Sequence, residues 1–305
     1  MPEKIRCRVL TGPTGVGKTE LALRIAEEFR WDIICMDSMQ IYRRMDIGTA
    51  KPTREEQARV PHHMIDIIEP EASFSVSQYR DMAETIIREL ADRGREALFV
   101  GGTGLYLEAM IHPMAMGQTP ANPERREELK RLAETGEGKA ALHRILETLD
   151  PQTAGRLPLN DIRRTIRAIE VTESTGIPFS QQPVREDNSP FDWTVVSLTM
   201  EREKLYGRIN QRVTRMIGSG LKEEVAGLLR DGVPEDAQSM SGIGYRQMIP
   251  CVKGEATTEE TAEEIRLASR HYAKRQMTFL RRIPEVIYLD AEDPETEKKM
   301  KEAMS

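Results

Sequence analysis

The chain has 305 residues, 31% of them charged and 39% hydrophobic, with a formal net charge of −6. No apolar run approaches the roughly 20 residues of a membrane span, and Cys7, Cys35 and Cys251 form no C-x-x-C pair, which suits a reducing cytoplasm and argues against a zinc or disulfide framework. The acidic balance speaks against a nucleic-acid partner only if the basic residues are evenly spread, so their placement decides.

The N-terminal Met1-Pro2-Glu3-Lys4 runs directly into a strand at Ile5–Leu10, with no signal-peptide pattern. Gly12-Pro13-Thr14-Gly15-Val16-Gly17-Lys18-Thr19 follows and fits G-x-x-x-x-G-K-[ST], and Glu20–Phe29 repeats apolar residues at helical spacing. Strand, glycine loop and helix converge backbone N–H groups and a helix N-terminus on one concavity, which favours a phosphate or diphosphate. Lys18 adds a point charge there, and the Thr19 hydroxyl is a candidate ligand for Mg²⁺. A second apolar run, Asp32–Met36, ends on Asp37-Ser38-Met39-Gln40, polar groups at the C-terminal edge of a strand where α/β sheets bind ligands. Asp37 is either a turn residue or a site carboxylate.

Met45–Pro52 reads as a loop with few core residues, and His62-His63 lacks a third ligand at metal spacing. A helix is predicted from about Gln78 to Asp92 with a stop at Gly94, then a buried strand Ala97–Val100 leading into Gly101-Gly102-Thr103. That strand lacks the acidic residue that usually holds Mg²⁺ in a phosphate-loop NTPase. The loops at Asp37 and Thr103 are expected to flank the phosphate loop.

From 112 to 193 the texture changes to prolines and charged amphipathic helices, about Glu124–Glu134, Lys139–Leu149 and one starting at Asn160 or Asp161. The predicted architecture is therefore an α/β fold, a parallel-sheet core with a phosphate loop in two pieces, 1–111 and 194–305, interrupted by a mostly helical insertion at 112–193. The second piece opens with a strand at Thr194–Leu198 and helices at about Arg202–Met216 and Leu221–Arg230, then a glycine loop, Ser241–Arg246. In the helix from about Glu259 to Arg282, the segment from Ile265 onward has no acid, and at about 100° per residue Arg266, Arg270, Lys274 and Arg281 share a stripe. A single-sign stripe points to phosphates of a nucleic acid. A final strand at Val286–Leu289 precedes a charged tail.

Assembled, these blocks resemble the tRNA dimethylallyltransferases. The similarity rests on the phosphate loop, Asp37-Ser38-Met39-Gln40-Ile41-Tyr42, Met45-Asp46-Ile47-Gly48-Thr49-Ala50-Lys51-Pro52, Gly101–Tyr106, Gly244-Tyr245-Arg246 and Tyr272-Ala273-Lys274-Arg275-Gln276. The resemblance implies transfer of dimethylallyl from its diphosphate to N6 of the adenosine just 3′ of the anticodon, with Mg²⁺, by a cytoplasmic monomer of the bacterial type, without a C-terminal zinc finger. It implies that Gly12–Thr19 and Arg212 bind diphosphate, and that Asp37 accepts the N6 proton with Lys18 and Thr103 as catalytic partners. It places Asp37, Ser38, Met39, Gln40, Thr103, Arg126, Asp161, Ile162, Arg163, Arg164, Thr165, Gly242, Gly244, Tyr245 and Arg246 on the anticodon stem-loop, with Arg270, Lys274 and Arg275. Phe279 stands where family members often have Trp. A small-molecule kinase and an RNA-binding NTPase switch are the rival readings.

Overall fold

The computed structural model describes residues 4–112, 122–182 and 189–305. They form two compact units, one ending at Ile111 and resuming with Ser189–Ser305, the other His112–Asn188. In the first, β1 (Ile5–Thr11), α1 (Lys18–Phe29), β2 (Asp32–Cys35), α2 (Arg54–Arg59), β3 (His62–His63), α3 (Val76–Asp92), β4 (Ala97–Val100) and α4 (Gly104–Ile111) come first in sequence. Helix α3 starts two residues before the predicted Gln78, because Ser75 and Gln78 form a reciprocal capping box. His62 and His63, which lack a third ligand at metal spacing, make an edge strand: they pair in parallel with Ile33 and Ile34, and His63 Nε2 lies 2.7 Å from Asp32 Oδ2.

The second unit holds α5 (Pro123–Leu132), α6 (Gly136–Leu149), α7 (Pro151–Ala154) and α8 (Ile162–Thr175) around Leu129, Leu142, Leu146, Ile166 and Ile169. Asp161, rather than Asn160, caps α8. Asp150 caps α7 and fixes the return of the chain, accepting hydrogen bonds from the Thr153 and Ser180 backbones and both hydroxyls at 2.6–3.0 Å. Burial alone would raise its pKa; those four bonds bring it down to about 2. Within the predicted insertion at 112–193, Pro113, Pro120 and residues 183–188 lie outside the described residues.

The chain re-enters the first unit through β5 (Phe191–Thr199), three residues earlier than the predicted strand, because Phe191 and Trp193 pack into the core opposite Ile5 and Cys7. It continues through α9 (Arg202–Gly218), α10 (Leu221–Arg230), α11 (Tyr245–Lys253), α12 (Thr258–Leu280), β6 (Ile287–Asp290) and α13 (Thr296–Met304). The charged tail is thus a helix. Met300 and Met304, four residues apart, are buried, and their charged neighbours face outward.

The six strands form one parallel sheet in the order β3-β2-β4-β1-β5-β6. Side chains alternate across it: Val9, Ile34, Phe99 and Val195 enter one apolar layer, and their neighbours Leu10, Ile33, Leu98 and Val196 the other. Both faces are covered, as a parallel sheet requires. The order corrects one expectation. The loops after β2 and β4 do not flank the phosphate loop; both lie on the same side of β1, with β5 on the other.

Candidate active site

The C-terminal ends of β1, β4 and β2 stand side by side, and each carries one part of the site. After β1, Gly12 takes φ +133°, and a Cβ there would come within 2.6 Å of the Leu198 carbonyl, so only glycine lets the chain turn against β5. The loop runs through Pro13, Thr14, Gly15, Val16 and Gly17 into α1, with Val16 buried beneath it. Lys18 curls back and donates to the carbonyls of Gly12 (2.9 Å) and Pro13 (3.0 Å). Burial, and then the charge of Arg212, lower its pKa to about 8, against a smaller opposing pull from Asp37. The same burial lowers Arg212, whose neighbour Asp37 favours its charge while Arg215 opposes it. Lys18, Arg212 and Asp37 therefore share one electrostatic environment. Thr19 is exposed at the first turn of α1.

After β2, Asp37 caps its turn and lines the cavity. Its Oδ1 accepts the Met39 N–H at 2.8 Å, a turn cap, while among the described residues no protein hydrogen bond reaches Oδ2. After β4, the Thr103 hydroxyl accepts the Ser38 N–H at 3.0 Å and lies 3.4 Å from the Ser38 hydroxyl, tying the two loops together. Gln276 of α12 closes the third side: its carbonyl accepts Thr14 N–H at 2.9 Å and its amide donates to Gly102 O at 2.9 Å. One turn earlier, Tyr272 interacts with both Thr103 and Gln276. A cavity of about 870 Å³ opens over these groups, lined by Lys18, Thr19, Asp37, Gly102, Arg212 and Tyr272 among others. That volume lies within the range of small-molecule sites.

Gln276 and Tyr272 were missed as site residues. Both lie in the Tyr-Ala-Lys-Arg-Gln block, but a search for cations passes over the polar groups four residues apart on the helix's buried face. Phe279 packs where Gly104 leaves room for its ring.

Of the residues assigned to tRNA, three make strong contacts within the protein. Tyr245 is fully buried, donates its hydroxyl to Glu224 at 2.6 Å and borders the cavity. Thr165 is buried with its hydroxyl on the Asp161 carbonyl. Arg126 lays both guanidinium arms on Glu170 at 2.7 Å. Gly242 and Gly244 are buried and Ile162 is half-buried, whereas Arg163, Arg164 and Arg246 are exposed, Arg164 within 3.4 Å of Asp161. Ser38, Met39 and Gln40 line the cavity. The basic stripe of α12 also divides. Arg266 pairs with Glu259 and Glu263, acids just before the segment counted as acid-free, and Arg270 stacks over Tyr206 with its centroid distance at 5.9 Å. Lys274, Arg275, Arg281 and Arg282 remain exposed with no carboxylate partner among the described residues. The loop at Met45–Pro52, expected to be poor in core residues, buries Met45 and Thr49.

Known proteins show the same arrangement of chain. The curated tRNA dimethylallyltransferase of Desulfosudis oleivorans is 45% identical over 96% of this chain and 93% of its own length. A crystal structure of full-length tRNA isopentenylpyrophosphate transferase from Bacillus halodurans superposes with TM-score 0.72 at 41% identity, covering 98% of this chain and 94% of that one. A eukaryotic dimethylallyltransferase, in crystallographic snapshots of its action on tRNA, gives TM-score 0.80 at 25% identity over 97% of this chain and 77% of the other. The IPP transferase family matches residues 40–283, taking in the Thr103 loop, Arg212 and the whole of α12, and with relatives this similar over nearly the full length the chain belongs to that family.

Proposed function

We propose that this enzyme transfers a dimethylallyl group from dimethylallyl diphosphate to N6 of the tRNA adenosine just 3′ of the anticodon, releasing diphosphate. The observation that carries the reading is one cavity holding both an anion site and a carboxylate with a free oxygen. An aromatic amine is a weak nucleophile, so its proton must be taken as the new bond forms. Asp37 Oδ2 accepts it while Oδ1 stays on Met39 and fixes the carboxylate's direction. N6 forms a bond to the C1 carbon of the dimethylallyl group as that carbon's bond to the diphosphate oxygen breaks. Lys18, Arg212 and the loop amides stabilise the charge that grows on the leaving group. Thr103 and Gln276 hold the three loops in register.

Mg²⁺ fits the donors present. The exposed Thr19 hydroxyl lines the cavity and offers one oxygen, and Mg²⁺ usually completes its shell with water and substrate phosphates. When bound it neutralises charge on the diphosphate. The base must leave its stack to enter the cavity, which is least costly in a single-stranded loop. Exposed Lys274, Arg275, Arg281 and Arg282 supply a phosphate-binding surface for the anticodon stem-loop despite the net charge of −6. The enzyme acts as a monomer in the cytoplasm; among the described residues no helix is long and apolar enough to cross a membrane.

Incubation with unmodified tRNA, Mg²⁺ and either radiolabelled dimethylallyl diphosphate or γ-labelled ATP tests the reading. Label on tRNA from the prenyl donor alone is the expected result. Phosphate transfer or release from ATP, with unlabelled tRNA, would return the kinase or NTPase reading.

A further inference from the structure

The loop from Asp46 to Ala50 carries a signature sequence yet no expected ligand role, and it is held from outside the site. Glu224 of α10 accepts the N–H groups of Asp46 (2.9 Å), Ile47 (2.9 Å) and Gly48 (3.2 Å) and the Tyr245 hydroxyl (2.6 Å). Three successive amides converging on one carboxylate form an anion nest, here filled by the protein itself. The Tyr245 ring lies so close to Gly48 that a Cβ there would overlap it. The other side of the loop turns its carbonyls toward the site. Thr49 O accepts from Gln40 Nε2 (3.2 Å) and Arg212 Nη2 (3.3 Å), and Ala50 O accepts from Gln40 Nε2 (3.2 Å).

We infer that Glu224 is a positioning residue for the anion site. By fixing the amides of residues 46–48 it sets where the next two carbonyls stand, and so the direction in which Arg212 and Gln40 reach into the cavity. Arg212 has no carboxylate partner among the described residues; its one protein hydrogen bond there is to this loop. The loop thus aims the guanidinium without neutralising it. A carboxylate suits this task because it accepts all four bonds at once, which an amide in its place cannot do without turning an N–H toward donors.

The inference rests on the proposed diphosphate site, not on the transfer itself, so its test is a binding cycle. Pyrophosphate binding in the presence of Mg²⁺ is measured by calorimetry for the parent, Glu224→Ala, Arg212→Ala and the double variant. Residues that act through one another are non-additive. Glu224→Ala should weaken binding on the order of tenfold in the parent and by less than about twofold in the Arg212→Ala background. An equal loss in both backgrounds, or none in the parent, overturns the inference, as does a parent that does not bind pyrophosphate. If Glu224→Ala does not fold, Tyr245→Phe enters the same cycle, since it removes one of the four bonds and keeps the ring on Gly48. Its smaller loss should likewise vanish without Arg212, and persistence of that loss overturns the idea. A parent that binds pyrophosphate but transfers nothing to tRNA defeats the transferase reading alone.

Discussion

Lys18 and Arg212 at the candidate active site and the paired arginines of the helical insertion are satisfied in opposite ways. Lys18 and Arg212 donate to carbonyls, of Gly12, Pro13 and Thr49. In the insertion, Arg125 meets Glu128 and Glu173, Arg126 meets Glu170, and Arg164 meets Asp161. A cation held by neutral dipoles is oriented but keeps its charge for a ligand. One held by a carboxylate is oriented and neutralised, and it serves the fold. Within α12 both kinds occur on one helix, Arg266 paired to acids and Lys274 and Arg275 unpaired. Counting basic residues along a sequence therefore overstates a nucleic-acid surface. The informative count is of cations that the fold leaves without a carboxylate.

The sharpest way to break this comparison is to change Asp37, the carboxylate whose charge acts on both Lys18 and Arg212. Asp37→Asn keeps an oxygen for the Met39 N–H and loses the base, so the chemical step should slow by about 10²–10⁴. Single-turnover kinetics across a Mg²⁺ titration separate the possible roles. A lost base stays slow at saturating Mg²⁺, and a lost metal ligand recovers. Wild-type rates at ordinary Mg²⁺ would mean that Asp37 only caps its turn.

Lys18→Ala should cost roughly 10²–10³ in rate, the usual loss of one group that stabilises a growing anion. Its depressed pKa adds a pH signature with two opposite signs. Between about 8 and the ordinary 10.5, the folded protein holds Lys18 neutral while the unfolded chain still binds its proton. Stability of the free protein therefore rises with pH across that window. Pyrophosphate binding needs the charged form, so affinity should fall as pH passes about 8, with proton uptake on binding. Both trends, followed by thermal melts and by calorimetry in buffers of different ionisation enthalpy, should flatten in the alanine variant. An affinity that stays level from pH 7 to 10 in the parent would remove Lys18 from the anion site.

How far the sequence reached follows the range of the interactions involved. The strand, glycine loop and helix at 5–29 were legible because the glycines, the lysine and both flanking elements lie within one local stretch, and the strand order then brought the Asp37 and Thr103 loops beside that loop. The two-residue strand β3 was not legible, since so short an edge pairs without a hydrophobic pattern of its own. Helix α13 hid behind its charges, with Met300 and Met304 as its only strongly apolar signal. Glu224 had no signal at all. It sits in an ordinary amphipathic helix, and its partners lie 176 to 178 residues away in the chain. Sequence patterns show which residues share an element's face; they do not show which distant backbone amides a carboxylate will meet. The burial of Tyr245 was likewise not legible, because its hydroxyl partner Glu224 sits on another helix.

The smallest effect sharpens the comparison inside the insertion itself. Arg163 and Arg126 carry the same charge and were assigned the same role, but Arg163 is exposed with no carboxylate partner among the described residues, whereas Arg126 forks onto the buried Glu170. Arg163→Ala should leave the melting temperature unchanged and reduce the slope of log affinity for tRNA against log salt by about 0.7–0.9, one phosphate contact. Arg126→Ala should do the reverse. Glu170 would lose its partner in a buried place, and a buried charge left alone is costly, but Arg126 is itself 39% exposed, so water replaces part of what is lost. A destabilisation of about 1–2 kcal/mol follows, read as a fall of a few degrees in the melt, with the salt slope for tRNA unmoved. Adding Glu170→Gln to Arg126→Ala should restore much of that stability, because it removes the stranded charge. If Arg126→Ala instead lowers the salt slope and keeps its melting temperature, the guanidinium works on phosphate while paired, and the distinction between carbonyl-held and carboxylate-held cations fails where it is easiest to see.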